Sequence, residues 1–226
     1  MYIGGIMRKD LVTVSPKTTL VEARELLDRN RIEHLLVVKN GKLAGVVSDR
    51  DLKRYWASPA TALSAHELAY LLDKVTVGMI MVKTVVTAGP DTTVERAAWI
   101  MQTNEISSLP VMMGDKPVGM VTATDVMGVL LAAIGMSEDS RRLSLFVDDY
   151  VGRLAQVTAA LSGERINVQS FFCYPVPEYR GLMQVVIRVD GHDGERARAA
   201  LEAAGFRVMD HWHADITPFL PEGYRP

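Results

Sequence analysis

The sequence predicts an α/β (α+β) chain: two like β-α-β-β-α units packed as a pseudo-twofold pair, then a separate βαββαβ domain. Three observations predict this. The chain matches itself at an offset of 74 residues without a gap, Ile6-Met7 falling on Ile80-Met81 and Asp51 on Asp125. Within each copy the apolar spacing alternates between helix and strand in the same order. After Gly135 that order gives way to a polar stretch, Ser137-Glu138-Asp139-Ser140-Arg141-Arg142, and to a new pattern. A repeat this long, with no slip, is one supersecondary unit built twice. Two such units, each with an uncovered apolar face, are expected to clasp one another and leave two related clefts at the seam.

Each repeat reads in the same order. Val12-Thr13-Val14 is a short strand ended by Ser15-Pro16, because proline disfavours helix just before it. Thr18 or Thr19 caps a helix whose apolar face is Leu20, Ala23, Leu26 and Leu27. Ile32 to Val38 is a strand, Asn40-Gly41 a hairpin turn, and Leu43 to Val47 the returning strand. Ser48 or Asp49 caps the next helix, which begins near Asp51. The second copy gives strand Val86-Thr87, a helix through Val94, Ala97, Ile100 and Met101, strand Ile106 to Met112, a turn at Gly114-Asp115 and strand Val118 to Val121. Thr122 or Thr124 caps a helix through Leu131. These readings bound repeat 1 at 1–57, a linker at 58–75 with a helix opened by the Ser64/Glu67 capping box, and repeat 2 at 76–136.

A third domain spans 143–212. Leu143 to Val147 alternates, Asp148 to Gly152 turns, and Leu154, Val157, Ala160 and Leu161 mark a helix. Ile166 to Phe172, Leu182 to Val189 and Phe206 to Met209 read as strands, with a helix from Glu195 to Ala204 stopped by Gly205. The order βαββαβ is a split βαβ arrangement. The proline-rich tail, 213–226, is read as docking on a neighbour or hanging loose.

Bulk properties exclude several classes. Apolar residues make up 48% of the 226 and charged residues 23%, so a packed core is expected. The net charge of -2 supplies no basic stripe for nucleic acid, and Arg141-Arg142 is too short to change that. One cysteine, Cys173, forms no internal disulfide and suits a reducing compartment. No secretory signal is visible, and the apolar run from Val126 to Met136 falls short of the roughly 20 residues that span a bilayer. The expectation is a cytoplasmic chain with no membrane partner. No phosphate-binding glycine loop, zinc-type cysteine pair or catalytic triad is present. The expectation is therefore no enzyme, no catalytic residue and no metal. His211 and His213 read as a solvated edge strand, and Cys173 as packed rather than nucleophilic.

The pattern richest in chemistry is Gly45-Val46-Val47-Ser48-Asp49-Arg50-Asp51, matched by Gly119-Met120-Val121-Thr122-Ala123-Thr124-Asp125. Each ends a buried strand at a helix start, where free N–H groups attract anions. A hydroxyl adds a donor, and an Asp one turn on can accept from both hydroxyls of a ribose. The bland alternative is an ordinary N-cap with a capping acid, but its recurrence at matched positions favours a nucleotide.

These strings, with Ile6-Met7, Ile80-Met81, Thr13-Val14-Ser15-Pro16, Thr87-Ala88-Gly89-Pro90 and Ser107-Ser108-Leu109-Pro110-Val111, resemble the CBS domain pair, or Bateman module, over about residues 1 to 135. The resemblance implies two clefts for adenosine-containing ligands such as AMP, ADP, ATP or S-adenosylmethionine, with no required cofactor. It implies ribose at Asp51 and Asp125, and phosphate at Ser48, Arg50, Thr122 and Thr124. The base would lie beside Thr13, Val14, Thr87 and Ala88, and Pro110 belongs to the matched strand. His34, where a small or apolar residue is usual, is read as a phosphate contact or as a strand cap. Arginine at the phosphate position of one copy only makes the two clefts unequal.

The third domain resembles an ACT domain, through Asp149-Tyr150-Val151-Gly152-Arg153-Leu154 and Ile166-Asn167-Val168, with Val151 where proline is usual. That resemblance implies side-by-side pairing into a homodimer and an amino-acid site at Asp149, Gly152 and Asn167, or dimerisation alone. The two-part arrangement also resembles acetoin-utilisation AcuB-type proteins, which implies a place in acetoin metabolism. The expected function is a non-catalytic sensor of adenine nucleotides acting on an unknown regulated protein. The alternatives are an adaptor with vestigial clefts and an enzyme of acetoin utilisation.

Overall fold

The computed structural model describes residues 1–56 and 74–224, which form two compact units, Met1–Gly128 and Val129–Pro226. The linker helix expected around Ser64 and Glu67 lies outside the described residues.

The first unit holds both repeats. Repeat 1 comprises β1 (Thr13–Val14), α1 (Leu20–Asn30), β2 (His34–Lys39), β3 (Lys42–Ser48) and α2 (Asp49–Trp56). Repeat 2 comprises α3 (Val77–Ile80), α4 (Val94–Thr103), β4 (Ser108–Met113), β5 (Lys116–Thr122) and α5 (Ala123–Ala133), whose residues from Val129 on belong to the second unit. The cap of α1 is Thr19, in a complete capping box: its Oγ1 accepts from the Glu22 N–H at 3.2 Å and its own N–H donates to Glu22 Oε2 at 2.9 Å. Thr93, 74 residues on, accepts from the Arg96 N–H in the same way. Both following turns use a non-glycine residue in the left-handed region, Arg31 (φ 52°) and Glu105 (φ 54°). The β2–β3 hairpin turns at Asn40 (φ 53°) and Gly41 (φ 76°), the sign pair of a tight hairpin turn.

One expected element is reduced. Thr13–Val14 is a two-residue strand parallel to β2, but its counterpart in repeat 2 is a single bridge between Ala88 and Val111. The geometry is conserved: Val14 faces Val37 as Ala88 faces Val111, and both hairpins are irregular just after that residue. Of the α1 face named from the sequence, Leu20, Ala23 and Leu27 are buried in the core of repeat 1 with Leu35, Val37, Val47 and Leu52, while Leu26 is partly buried.

The repeats exchange their leading segments. Arg8 pairs with Met120 of repeat 2, and Val82 pairs with Val46 of repeat 1. Nearer each start, the Ile3 N–H donates to Thr92 O and the Val77 N–H to Thr18 O, both at 2.8 Å. Each lead thus completes the other copy's sheet, which places the seam through both copies. The Ile-Met pairs matter here. A Cβ on Gly45 would lie 2.7 Å from Met81 Sδ, and one on Gly119 would collide with Met7. Each glycine leaves room for the methionine arriving from the other repeat.

The second unit comprises β6 (Ser140–Asp148), α6 (Arg153–Gly163), β7 (Val168–Pro175), β8 (Leu182–Asp190), α7 (Gly194–Ala203) and β9 (Val208–Met209). Its sheet runs β7-β8-β6-β9 and is antiparallel throughout. Leu143, Leu145, Val147, Val185, Ile187 and Val189 line one face, under Val157 and Leu161 of α6 and Ala197 and Leu201 of α7.

Three expectations about this unit are corrected. The second face of β6 is covered as well, with Ser144 and Phe146 buried. The tail supplies part of the cover, with Ile216, Phe219, Leu220 and Tyr224 packed against Phe146, Leu182 and Met209. It docks on its own unit because those residues present an apolar patch that it can bury. Cys173 is exposed, since β7 is the sheet's edge and Tyr174 and Pro175 beside it are exposed too. His211 and His213 follow the end of β9 rather than lying in it. Their rings meet tilted at 41° with centroids 4.2 Å apart, and His211 Nδ1 lies 2.6 Å from Asp210 Oδ1.

Candidate functional site

Both Gly-x-x-Ser/Thr-x-x-Asp strings close the same reciprocal box. The Thr122 N–H and Oγ1–H donate to Asp125 Oδ2 at 2.8 and 2.6 Å, and the Asp125 N–H donates back to Thr122 Oγ1 at 3.2 Å. Ser48 and Asp51 repeat it at 2.9, 2.6 and 3.2 Å. Each box pins a carboxylate at the first turn of a helix, where the helix dipole favours negative charge. Among the described residues, the hydrogen bonds to both carboxylates arrive at Oδ2.

The exchange of leads builds a cleft beside Asp125. It has a volume of about 330 Å³ and is lined from repeat 1 by Arg8, Asp10, Leu11 and Val12 and by Arg31, Ile32, Glu33, His34 and Leu36. Repeat 2 contributes Ser107, Met120, Thr122, Ala123, Thr124 and Asp125. The Arg8–Met120 pairing holds the lead of repeat 1 against β5, so neither repeat could form this cleft alone. Its apolar floor (Leu11, Val12, Ile32, Leu36, Met120) and polar rim are the ordinary composition of a small-molecule site. Two arginines, Arg8 and Arg31, are among its lining residues.

His34 sits at the centre of this seam. Its Nε2 lies 3.3 Å from Ser107 Oγ of the other repeat. Burial pushes its pKa below the usual 6.5; Glu33 and Asp51 pull it up and Arg50 pushes it down, but desolvation dominates. His34 therefore lines the Asp125 cleft while also sensing the Asp51 box.

The structure gathers some of the residues singled out from the sequence and separates others. Thr122, Thr124, Asp125 and His34 share the cleft. Ser48, Arg50 and Asp51 stand at the repeat-related position at the end of β3, next to the Val46–Val82 pairing. There Asp49 is held by Arg24 at 2.8 Å and Lys53 at 2.5 Å. Thr13 and Val14 line instead an open groove of about 620 Å³ with Glu22, Glu25 and Arg29 of α1. Thr87 is exposed, whereas Ala88 and Pro110 are buried and joined by the Ala88 N–H···O=C Pro110 bond at 3.1 Å. Arg8, Asp10, Arg31 and Glu33 were not singled out as site residues, and Ser107 was named only within a matched string. The sequence carries no direct signal for them, because the offset shows likeness between the copies but not that the Ile-Met lead of one seats on the glycine strand of the other.

In the second unit, Asp149 and Gly152 (φ 94°) lie in the loop before α6, and Asn167 lies in the loop after it. The 11 residues of α6 separate them by roughly 16 Å of helix, so one copy does not bring the three together.

Residues 3–58 and 77–132 match the model of the CBS domain. A CBS domain-containing protein of Dictyostelium discoideum is 34% identical over 138 residues, which cover 59% of this chain and 94% of that protein. The chain belongs to the CBS-domain family. The chain is also 36% identical over 127 residues to a homoserine O-acetyltransferase of Methanohalobium evestigatum, where the match covers 55% of this chain but only 23% of that protein. The solved CBS domain of a CBS domain-containing membrane protein from Sphaerobacter thermophilus shares 30% identity over 58% of this chain and 88% of its own, with a TM-score of 0.50. Among the described residues of this chain, no helix is long and apolar enough to cross a membrane.

Proposed function

We propose that the CBS pair is a regulatory sensor for an adenosine-containing ligand, either AMP, ADP, ATP or S-adenosylmethionine, bound in the cleft at Asp125. The observation that carries this reading is the meeting of Thr122, Thr124 and Asp125 with Arg8 of the exchanged lead and Arg31 of the turn after α1. Asp125 accepts its protein hydrogen bonds at Oδ2, which favours Oδ1 as the acceptor for a ribose hydroxyl. Arg8 and Arg31 suit a phosphate, as guanidinium groups do. The apolar floor suits the base. Ser48, Arg50 and Asp51 are the corresponding groups of a second, unequal site.

Regulation follows from the exchange. A ligand touching both repeats binds best where they are closest, and only its difference in affinity between two arrangements does work, typically 1–3 kcal/mol. The strand order β7-β8-β6-β9 supports reading the second unit as a ferredoxin-like ACT domain, with a role in joining two copies and presenting them to a regulated protein.

Melting the protein with and without AMP, ATP and S-adenosylmethionine tests the reading. Ligand at 100 times its dissociation constant adds about 2.7 kcal/mol of stability. A saturable rise in melting temperature is expected with at least one of the three. No shift with any of them favours an adaptor with vestigial clefts.

A further inference from the structure

The second unit contains a buried cation with no anion. Arg188 on β8 is nine-tenths buried. Its Nη1 donates to Ser140 Oγ at 2.7 Å and its Nη2 to Met136 Sδ at 3.0 Å, while its buried Nε has no partner. Directly opposite, in register on β6, stands Arg142. Leu143, Ile187 and Val189 face the helices, so Arg142 and Arg188 share the other face of the sheet. Like charges at opposed positions repel, since their Cβ atoms are only about 5 Å apart. Among the described residues neither arginine forms an ion pair with an acidic side chain.

A guanidinium withdrawn from water is strongly disfavoured unless paired. The C-terminal end of α5 lies close by, but a helix end carries only about half a charge. The nearby Ile134 carbonyl is already taken by Ser170 Oγ at 2.6 Å. A thioether and one hydroxyl do not replace a carboxylate. Met136 is itself exposed, so the group covering the guanidinium is a flexible side chain that can swing aside.

We propose that Arg188 and Arg142 form a site for a small oxyanion, a carboxylate or a phosphate, on the sheet face of the second unit. The anion bonds to Arg188 Nε and an Nη, displacing Met136, and offsets the charge of Arg142. The site is independent of the nucleotide cleft.

The test uses the full chain with inorganic phosphate and with succinate, read by calorimetry and by thermal melting. At least one anion is expected to bind saturably and to raise the melting temperature. Arg142→Ala should weaken that binding at least tenfold, and Arg188→Met should abolish it. In anion-free buffer Arg188→Met should melt no lower than the native protein, because it removes an unpaired charge. Whichever of phosphate and succinate binds more tightly identifies the class of anion. Failure of both anions to bind, or binding unchanged by Arg142→Ala, overturns the proposal. A marked loss of stability in anion-free Arg188→Met overturns it too, since Arg188 would then be satisfied by Ser140 and Met136.

Discussion

The amide of Arg8 donates to the carbonyl of Met120 at 2.9 Å, and 74 residues on the amide of Val82 donates to the carbonyl of Val46 at the same distance. The two copies are therefore not neighbours that happen to touch. Each supplies backbone pairing that the other lacks, so the clefts exist only while the copies are clasped.

The glycine under each methionine tests this clasp. At Gly45 an added Cβ would also meet the backbone oxygen of Val82 at 2.8 Å, which cannot swing away. Gly45→Ala is expected to destabilise the protein by about 1–3 kcal/mol in chemical denaturation, as overpacking does. At Gly119 the obstruction is the side chain of Met7, so Gly119→Ala should cost less, and adding Met7→Ala should relieve it. Equal costs at the two glycines, or no relief, would contradict the exchanged arrangement.

Much of this fold was legible because its signals are local and doubled. The helix cap at Thr18 or Thr19, the turn at Asn40-Gly41 and the apolar face Leu20, Ala23, Leu26, Leu27 are each written in a few adjacent residues. The exchange was not legible, because the offset gives likeness between copies but not which strand each lead joins. That gap explains the cleft. Asp125 and Thr122 declare themselves by a motif, whereas Arg8 and Arg31 become site residues only through the crossing. Similarly, alternation over 143–147 does not show that Phe146 is buried; the tail residue Leu220 packs against it from far along the chain.

His34 makes a prediction in pH. Its pKa in the folded protein lies below the 6.5 of an unperturbed histidine, chiefly through burial. On acidification the unfolded chain takes up this proton first, so stability held by neutral His34 is fully present above about pH 6.5 and is lost as pH falls below it. The melting temperature of the native protein should therefore fall more than that of His34→Gln between about pH 7.5 and 5.5. Parallel curves would show that His34 titrates as it does in the unfolded chain.

The tail is expected to be part of the second unit's core. Leu220 is buried against Phe146, Leu182 and Met209. Leu220→Ala should cost about 2 kcal/mol in denaturant titration, near the low end for a buried leucine because a chain end can settle into the space. A change within a few tenths of a kcal/mol would mean that the tail does not hold its place.

The ion pair between the hairpin tips, Lys42 Nζ to Asp115 Oδ2 at 2.6 Å, should matter little, since both side chains are about two-thirds exposed. Lys42→Ala is expected to shift stability by less than about 1 kcal/mol, and less still in high salt. A larger loss would assign the clasp to charge rather than to backbone pairing.

The most direct measurement is a calorimetric titration of AMP, ATP and S-adenosylmethionine into the native protein and into Asp125→Ala. Losing the Thr122–Asp125 box should lower the stability of the empty variant by about 1 kcal/mol and leave it folded at the temperature of the titration. The account predicts saturable binding of at least one ligand to the native protein, weakened at least tenfold by Asp125→Ala. Binding of equal strength in the two proteins, or no heat from any of the three ligands, would contradict it.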